Sequence, residues 1–204
     1  MVCRALLALV TISGMAMSVR ATLFDFNAAG EYTPLPINQV ADGIKAQFLG
    51  DYSVQLPTVS GVTPVGFTGL CLAPSNTAKD LTITFSTVIS DFSILYAPQE
   101  LACDSSATMR AYAYMDTTLL GYNDQVASPP GTWPSATLSY SNPAGFNKVV
   151  VHYQSRPPTG GDYGSVFLSD NVNVTALPEA GSLSLLAVGM LALLRRKPAR
   201  IFSA

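Results

Sequence analysis

The chain has 204 residues, 49% of them hydrophobic and 12% charged, with a formal net charge of −2, a length that suits one folded domain plus apolar flanks. Most of the cations lie near the two ends. Between Thr22 and Ala176 five cations (Lys45, Lys79, Arg110, Lys148, Arg156) stand against twelve acids, a net charge of −7, which argues against a nucleic-acid partner and against docking on an anionic membrane.

The first segment, MVCRALLALVTISGMAMSVRA, carries Arg4, an apolar run from Ala5 to Met17, and then Val19-Arg20-Ala21, with small residues where a signal peptidase cuts. This layout predicts a secretory signal helix over residues 1–21, cleaved after Ala21. The run is short for a permanent anchor and is interrupted by Thr11, Ser13 and Gly14. Cys3 precedes it, which excludes a lipoprotein signal, and leaves with it. Export then makes Cys71 and Cys103 the mature pair, and an oxidising compartment predicts one disulfide between them. Two buried thiols are the alternative; no CxxC or histidine partner supports a metal at the cysteines.

Residues 22–176 form one predicted domain with the periodicity of strands. Leu81-Thr82-Ile83-Thr84-Phe85 and Phe92-Ser93-Ile94 alternate apolar and polar side chains. TMRAYAYM puts Met109, Ala111, Ala113 and Met115 on one face, with Arg110, Tyr112 and Tyr114 on the other. Leu138-Ser139-Tyr140, KVVVHY and NVNVT continue the series in β-branched and aromatic residues. Between them PTVSGVTPVG, SPPGTWPS, SNPAG and RPPTGGDYG predict turns, and no capped amphipathic helix is evident. The pattern predicts an all-β fold: a single β-sandwich or jelly-roll domain of many short strands.

The order LFDFN, AYAYMDTTLLGY, ATLSYSNPAGFNKVVVHY and GSVFLSDNVNVT resembles the secreted jelly-roll domains of sorted surface proteins, folds similar to the sandwiches of carbohydrate-binding modules. That resemblance implies neighbouring terminal strands and a calcium site, with Asp25, Asn27 and Glu31 facing Asp170 and Asn171. Oxygen ligands of these types suit Ca2+ and do not exclude magnesium; Asx turns at strand ends account for the same residues more simply.

For a glycan ligand the candidates are Trp133 in its proline-flanked loop, the Arg110, Tyr112 and Tyr114 face, and His152. Taken singly, each is more simply a packing residue. Catalysis has little support: His152 is the lone histidine, no GxSxG or HExxH motif occurs, and twelve scattered acids always contain some pairs.

The chain closes with Pro178-Glu179, an uncharged apolar run from Gly181 to Leu194, then Arg195, Arg196 and Lys197. A helix over 181–194 is about 21 Å long, a marginal span with its cations on the cytoplasmic side. This order of elements resembles the PEP-CTERM sorting signal of Gram-negative bacteria, departing at Ala180, where a second proline is usual. The resemblance implies a tail over 177–204 that holds the protein at the inner membrane until an exosortase-type sorting protease removes it. The combined expectation is a non-catalytic cell-surface or extracellular-matrix protein with exopolysaccharide as its candidate ligand. The alternatives are a secreted glycan-active hydrolase on a lectin-like scaffold and a structural adhesin without a small ligand.

Overall fold

Ten strands make up the fold: β1 Ala21–Phe24, β2 Ile37–Ala41, β3 Ile44–Leu49, β4 Tyr52–Gln55, β5 Cys71–Pro74, β6 Asp80–Pro98, β7 Thr108–Met115, β8 Thr118–Val126, β9 Ala136–Ser155 and β10 Phe167–Ala176. The computed structural model describes residues 20–58, 61–75, 80–100, 105–129, 132–160 and 164–177. The predicted signal up to residue 19, Cys103, and the tail from Pro178 with its apolar run and basic cluster all lie outside them. No helix occurs among the described residues, and none of them forms one long and apolar enough to cross a membrane.

The alternation seen in the sequence is the cause of the layering. In β7, Met109, Ala111 and Ala113 are fully buried while Arg110, Tyr112 and Tyr114 are half-buried on the other side. β3, β6 and β9 repeat this with Ala46 and Phe48, Leu81 and Ile83, Val149 and Val151. Each fully buried Leu, Ile or Phe stabilises by roughly 1.5–3 kcal/mol relative to exposure.

Two strands are far longer than the sequence predicts. β6 has 19 residues and β9 has 20. Each passes from one half of the sheet to the other, and the register shifts between Thr84 and Ile89 mark the place where they bend. Before its bend, β6 pairs with β3 and with the second half of β9; after it, with β10 and the first half of β9. One half is therefore β2-β3-β6-β9-β7-β8, and the other carries β1, β4, β5 and β10 beside the same two long strands. The halves bury a common core, in which Phe24 of β1 meets Phe48 of β3 and Phe85 of β6 at centroid distances of 6.4 Å.

SNPAG, expected as a turn, lies inside β9 at this bend. Gly145 there has φ +85°, and a Cβ would stand 2.2 Å from Val88 Cγ1 and 2.6 Å from Leu177 Cδ1. A left-handed residue without a side chain lets the strand turn and stay paired. The β2–β3 hairpin is closed by Asp42-Gly43, both at positive φ, the signature of a two-residue type I′ turn. Ala21, the expected last residue of the signal, is the first residue of β1 and pairs with Thr175.

Candidate functional site

The register assembles the outer face of the β2-β3-β6-β9-β7-β8 half. β9 sets His152, Val150 and Lys148 beside Arg110, Tyr112 and Tyr114 of β7. β8 adds Asp124 beside Arg110 and Tyr122 beside Tyr112, and β6 adds Asp80, Thr82 and Thr84 beside His152, Val150 and Lys148. Because the pleat alternates, all of these project away from the core.

The side chains lock together. Arg110 grips Asp124 with two parallel bonds, Nε to Oδ1 at 2.6 Å and Nη2 to Oδ2 at 2.7 Å, and its Nη1 donates to the Tyr112 hydroxyl at 3.3 Å. Its guanidinium carbon lies over Tyr122, 3.9 Å from the ring centroid. The bond to Asp124 raises the Arg110 pKa still further, and the same bond holds the Asp124 carboxyl below its ordinary value. Tyr112 sits 6.0 Å from both Tyr122 and His152, ring to ring. His152 Nδ1 bonds Asp80 Oδ1, and Lys148 Nζ rests 4.4 Å above the Tyr114 ring. Tyr122 keeps 55% of its surface exposed. Past Arg110 the face opens into a cleft of about 510 Å³ between Ser105, Thr108, Val126, Ser128, Ser155 and Arg156.

Four of the five expected glycan residues thus share one face; the fifth does not. Trp133 is 3% exposed, donates Nε1–H to the Pro98 carbonyl at 2.8 Å, and packs with Phe67, Cys71, Ala97 and Leu168. The indole is turned inward against the sheet and is not displayed. Lys148 shares the His152 side of β9 by parity, while Tyr122, Asp124 and Asp80 were not among the expected residues. Only strand pairing brings them in, and TLLGYNDQV of β8 has no clean alternation to announce it.

Cys71, expected in a disulfide, carries a free thiol buried in this second cluster, and its expected partner Cys103 lies outside the described residues. Burial, with a smaller contribution from Asp170, pushes the Cys71 thiol up to about 12.

The expected calcium residues are partly assembled. β1 pairs with β10, as the resemblance implies, and Asp25 is close enough to raise the Asp170 pKa. A register break between Asp170 and Asn173, with Asn171 at φ +50°, turns Asp170 toward the Thr68–Leu70 loop. Asp170 is 1% exposed; Oδ1 accepts the Asn171 N–H at 2.7 Å, while Oδ2 has no hydrogen-bond partner. Burial is the main cause that raises its pKa to about 6, against the lowering effect of bonds from the Asn171 and Thr68 amides. Asn27 Oδ1 accepts the Leu70 N–H at 2.8 Å, and Gly69 leaves it room, since a Cβ there would fall 1.8 Å from that oxygen. Glu31 is exposed in the next turn and makes no hydrogen bond to Asp25 or Asp170. No group of three acidic, His or Cys ligands gathers among the described residues, so a cation here would take two carboxylates and otherwise amide, carbonyl or water oxygens. By contrast, buried Glu100 is fully engaged, accepting from Ser106 Oγ, the Ala107 amide and the Tyr153 hydroxyl.

No protein-family model and no curated protein matches the chain. Among solved structures, it is similar to the catalytic domain of a GH87 alpha-1,3-glucanase in complex with tetrasaccharides, with 11% identity and a TM-score of 0.39 over 73% of this chain and only 29% of that one. A family 29 carbohydrate-binding module is similar over 76% of this chain and 92% of its own, with 9% identity and a TM-score of 0.35. A cleaved adhesin domain of Lys-gingipain covers 76% and 89%, with 10% identity and a TM-score of 0.38. At these TM-scores none of the likenesses bears on ligand or chemistry.

Proposed function

We propose that residues 22–176 form a jelly-roll-type β-sandwich that binds extracellular polysaccharide without turning it over. The rest of the chain would export it and sort it to the cell surface through the PEP-CTERM-like tail. The observation that carries the binding reading is the outward row of Tyr112, Tyr114 and Tyr122 interleaved with Arg110, His152 and Lys148. Sugar rings pack their apolar faces on aromatic rings and satisfy their hydroxyls with planar donors and acceptors, and this face supplies both. A binding role also fits the carboxylate paired with Arg110 on this face. Asp124 is held ionised by Arg110, the opposite of what a general acid needs. The test is retention of the protein on immobilised polysaccharides, with product assayed alongside. Retention without product, weakened at least about ten-fold by Tyr122→Ala at unchanged melting temperature, is the expected result. Product release, or retention indifferent to Tyr122, would overturn it.

A structural Ca2+ at Asp25 and Asp170 belongs to the same reading, supported by the orphaned Asp170 Oδ2. A buried carboxylate oxygen facing no donor is costly, and a hard cation is the ligand type that relieves it. Calcium should raise the melting temperature and a chelator should reverse the rise; an unmoved midpoint would remove the site.

A further inference from the structure

Building on the polysaccharide reading, we infer that the ligand of this face is an acidic polysaccharide, held by Lys45 and Lys148 together with the Arg110–Tyr122 stack. Among strand residues the only Lys, Arg and His are Lys45, Arg110, Lys148 and His152. The register puts all four on one half of the sheet, facing outward. Lys45 lies one pleat repeat from Gln47, which pairs with Thr84, and Thr84 pairs with Lys148. Lys45 and Lys148 are therefore two strand spacings apart across the sheet and two residues apart along it, about 12 Å between backbones. Lys45, Asn38, Gln47, Thr84 and Ser86 also line a hollow of about 170 Å³ on that side.

The acids of this face are already used. Asp124 is bound to Arg110 and Asp80 to His152, and neither lysine has an acidic partner among the described residues. The opposite half is different in kind. Its outer hollow, about 240 Å³, is lined by Asp91, Ser93, Ser139, Ser141, Asn173 and Thr175, with no cation. In a domain of net charge −7, an acidic polymer is repelled over most of the surface and received here.

The ring geometry points the same way. Lys148 and Arg110 already lie over Tyr114 and Tyr122, where the flat face of a neutral sugar would stack. A carboxylate- or sulfate-bearing sugar meets the Lys148 ammonium in place, while a neutral one must displace it from the ring. Two lysines this far apart call for anionic groups that recur along a polymer, not for a single terminal acid.

The test measures binding of the protein to polygalacturonate, to its methyl ester and to a neutral glucan, by affinity electrophoresis at low and at about 0.15 M salt. Polygalacturonate should bind at least about ten-fold more tightly than its ester and weaken with salt, and the double variant K45Q/K148Q should lose most of that preference while melting normally. Both lysines sit on the surface, so the variant tests charge and not folding. Equal affinity for acid and ester, or a glucan bound just as well without salt dependence, would overturn the acidic ligand and leave the polysaccharide reading standing. Binding to none of the three would overturn both. Equal binding of a DNA duplex would show general polyanion attraction and overturn the specificity claimed for sugars.

Discussion

Tyr122 and Trp133 show how differently two large aromatic residues serve this chain. Tyr122 is exposed under the Arg110 guanidinium, so its loss should cost glycan affinity and little stability. Trp133 fills a pocket and satisfies the Pro98 carbonyl. Trp133→Ala should cost about 3–5 kcal/mol in a denaturant melt while leaving glycan retention per folded molecule unchanged. Asp170 gives a pH prediction. Its folded pKa, about 6, is above the value expected in an unfolded chain, so the folded state holds the proton more tightly. The stability it contributes is complete below about pH 4 and is lost as pH rises through about 6. Without calcium, the melting temperature attributable to this group should fall between about pH 4 and 7; with calcium the fall should flatten, because the cation favours the ionised carboxylate. Asp170→Asn should abolish both the slope and the calcium response. A slope that survives the substitution would assign it to other groups.

At the scale of strands, Gly145 is the position on which the two-layered path depends. Gly145→Ala places a methyl group against Val88 and Leu177 at φ +85°, and should destabilise by roughly 2–4 kcal/mol in equilibrium unfolding. A neutral substitution there would mean that β9 can bend elsewhere. This bend also marks the limit of what the sequence discloses. TMRAYAYM displays its two faces openly, because one side must be apolar to meet the core, and β7 follows it from Met109 to Tyr114, with Met115 only half-buried. SNPAG has the composition of a turn, and only the pairing of its flanks with one continuous β6 shows it to be a strand that bends. The binding face divides in the same way. Arg110, Tyr112 and Tyr114 share a side by local parity alone, whereas Asp124, Asp80 and Lys148 reach them only through strand neighbours up to 72 residues apart.

At the scale of the whole sheet, the lysine, arginine and histidine of the described strands fall on one half, while hydroxyls, amides and Asp91 line the hollow on the other. Binding governed by that asymmetry should weaken as ionic strength rises, while folding stability changes little. The sorting proposal has its own whole-chain test. Intact mass of protein recovered from the native surface should lack about thirty C-terminal residues, and a retained tail would favour a plain anchor. One pairing described earlier carries a mechanical corollary. Because Ala21 lies opposite Thr175, the polypeptide enters and leaves at a single corner, on adjacent antiparallel strands. If the domain is tethered at a flank and holds a polymer as proposed, the pull would enter at that corner, beside the β10–β6–β9 ladder.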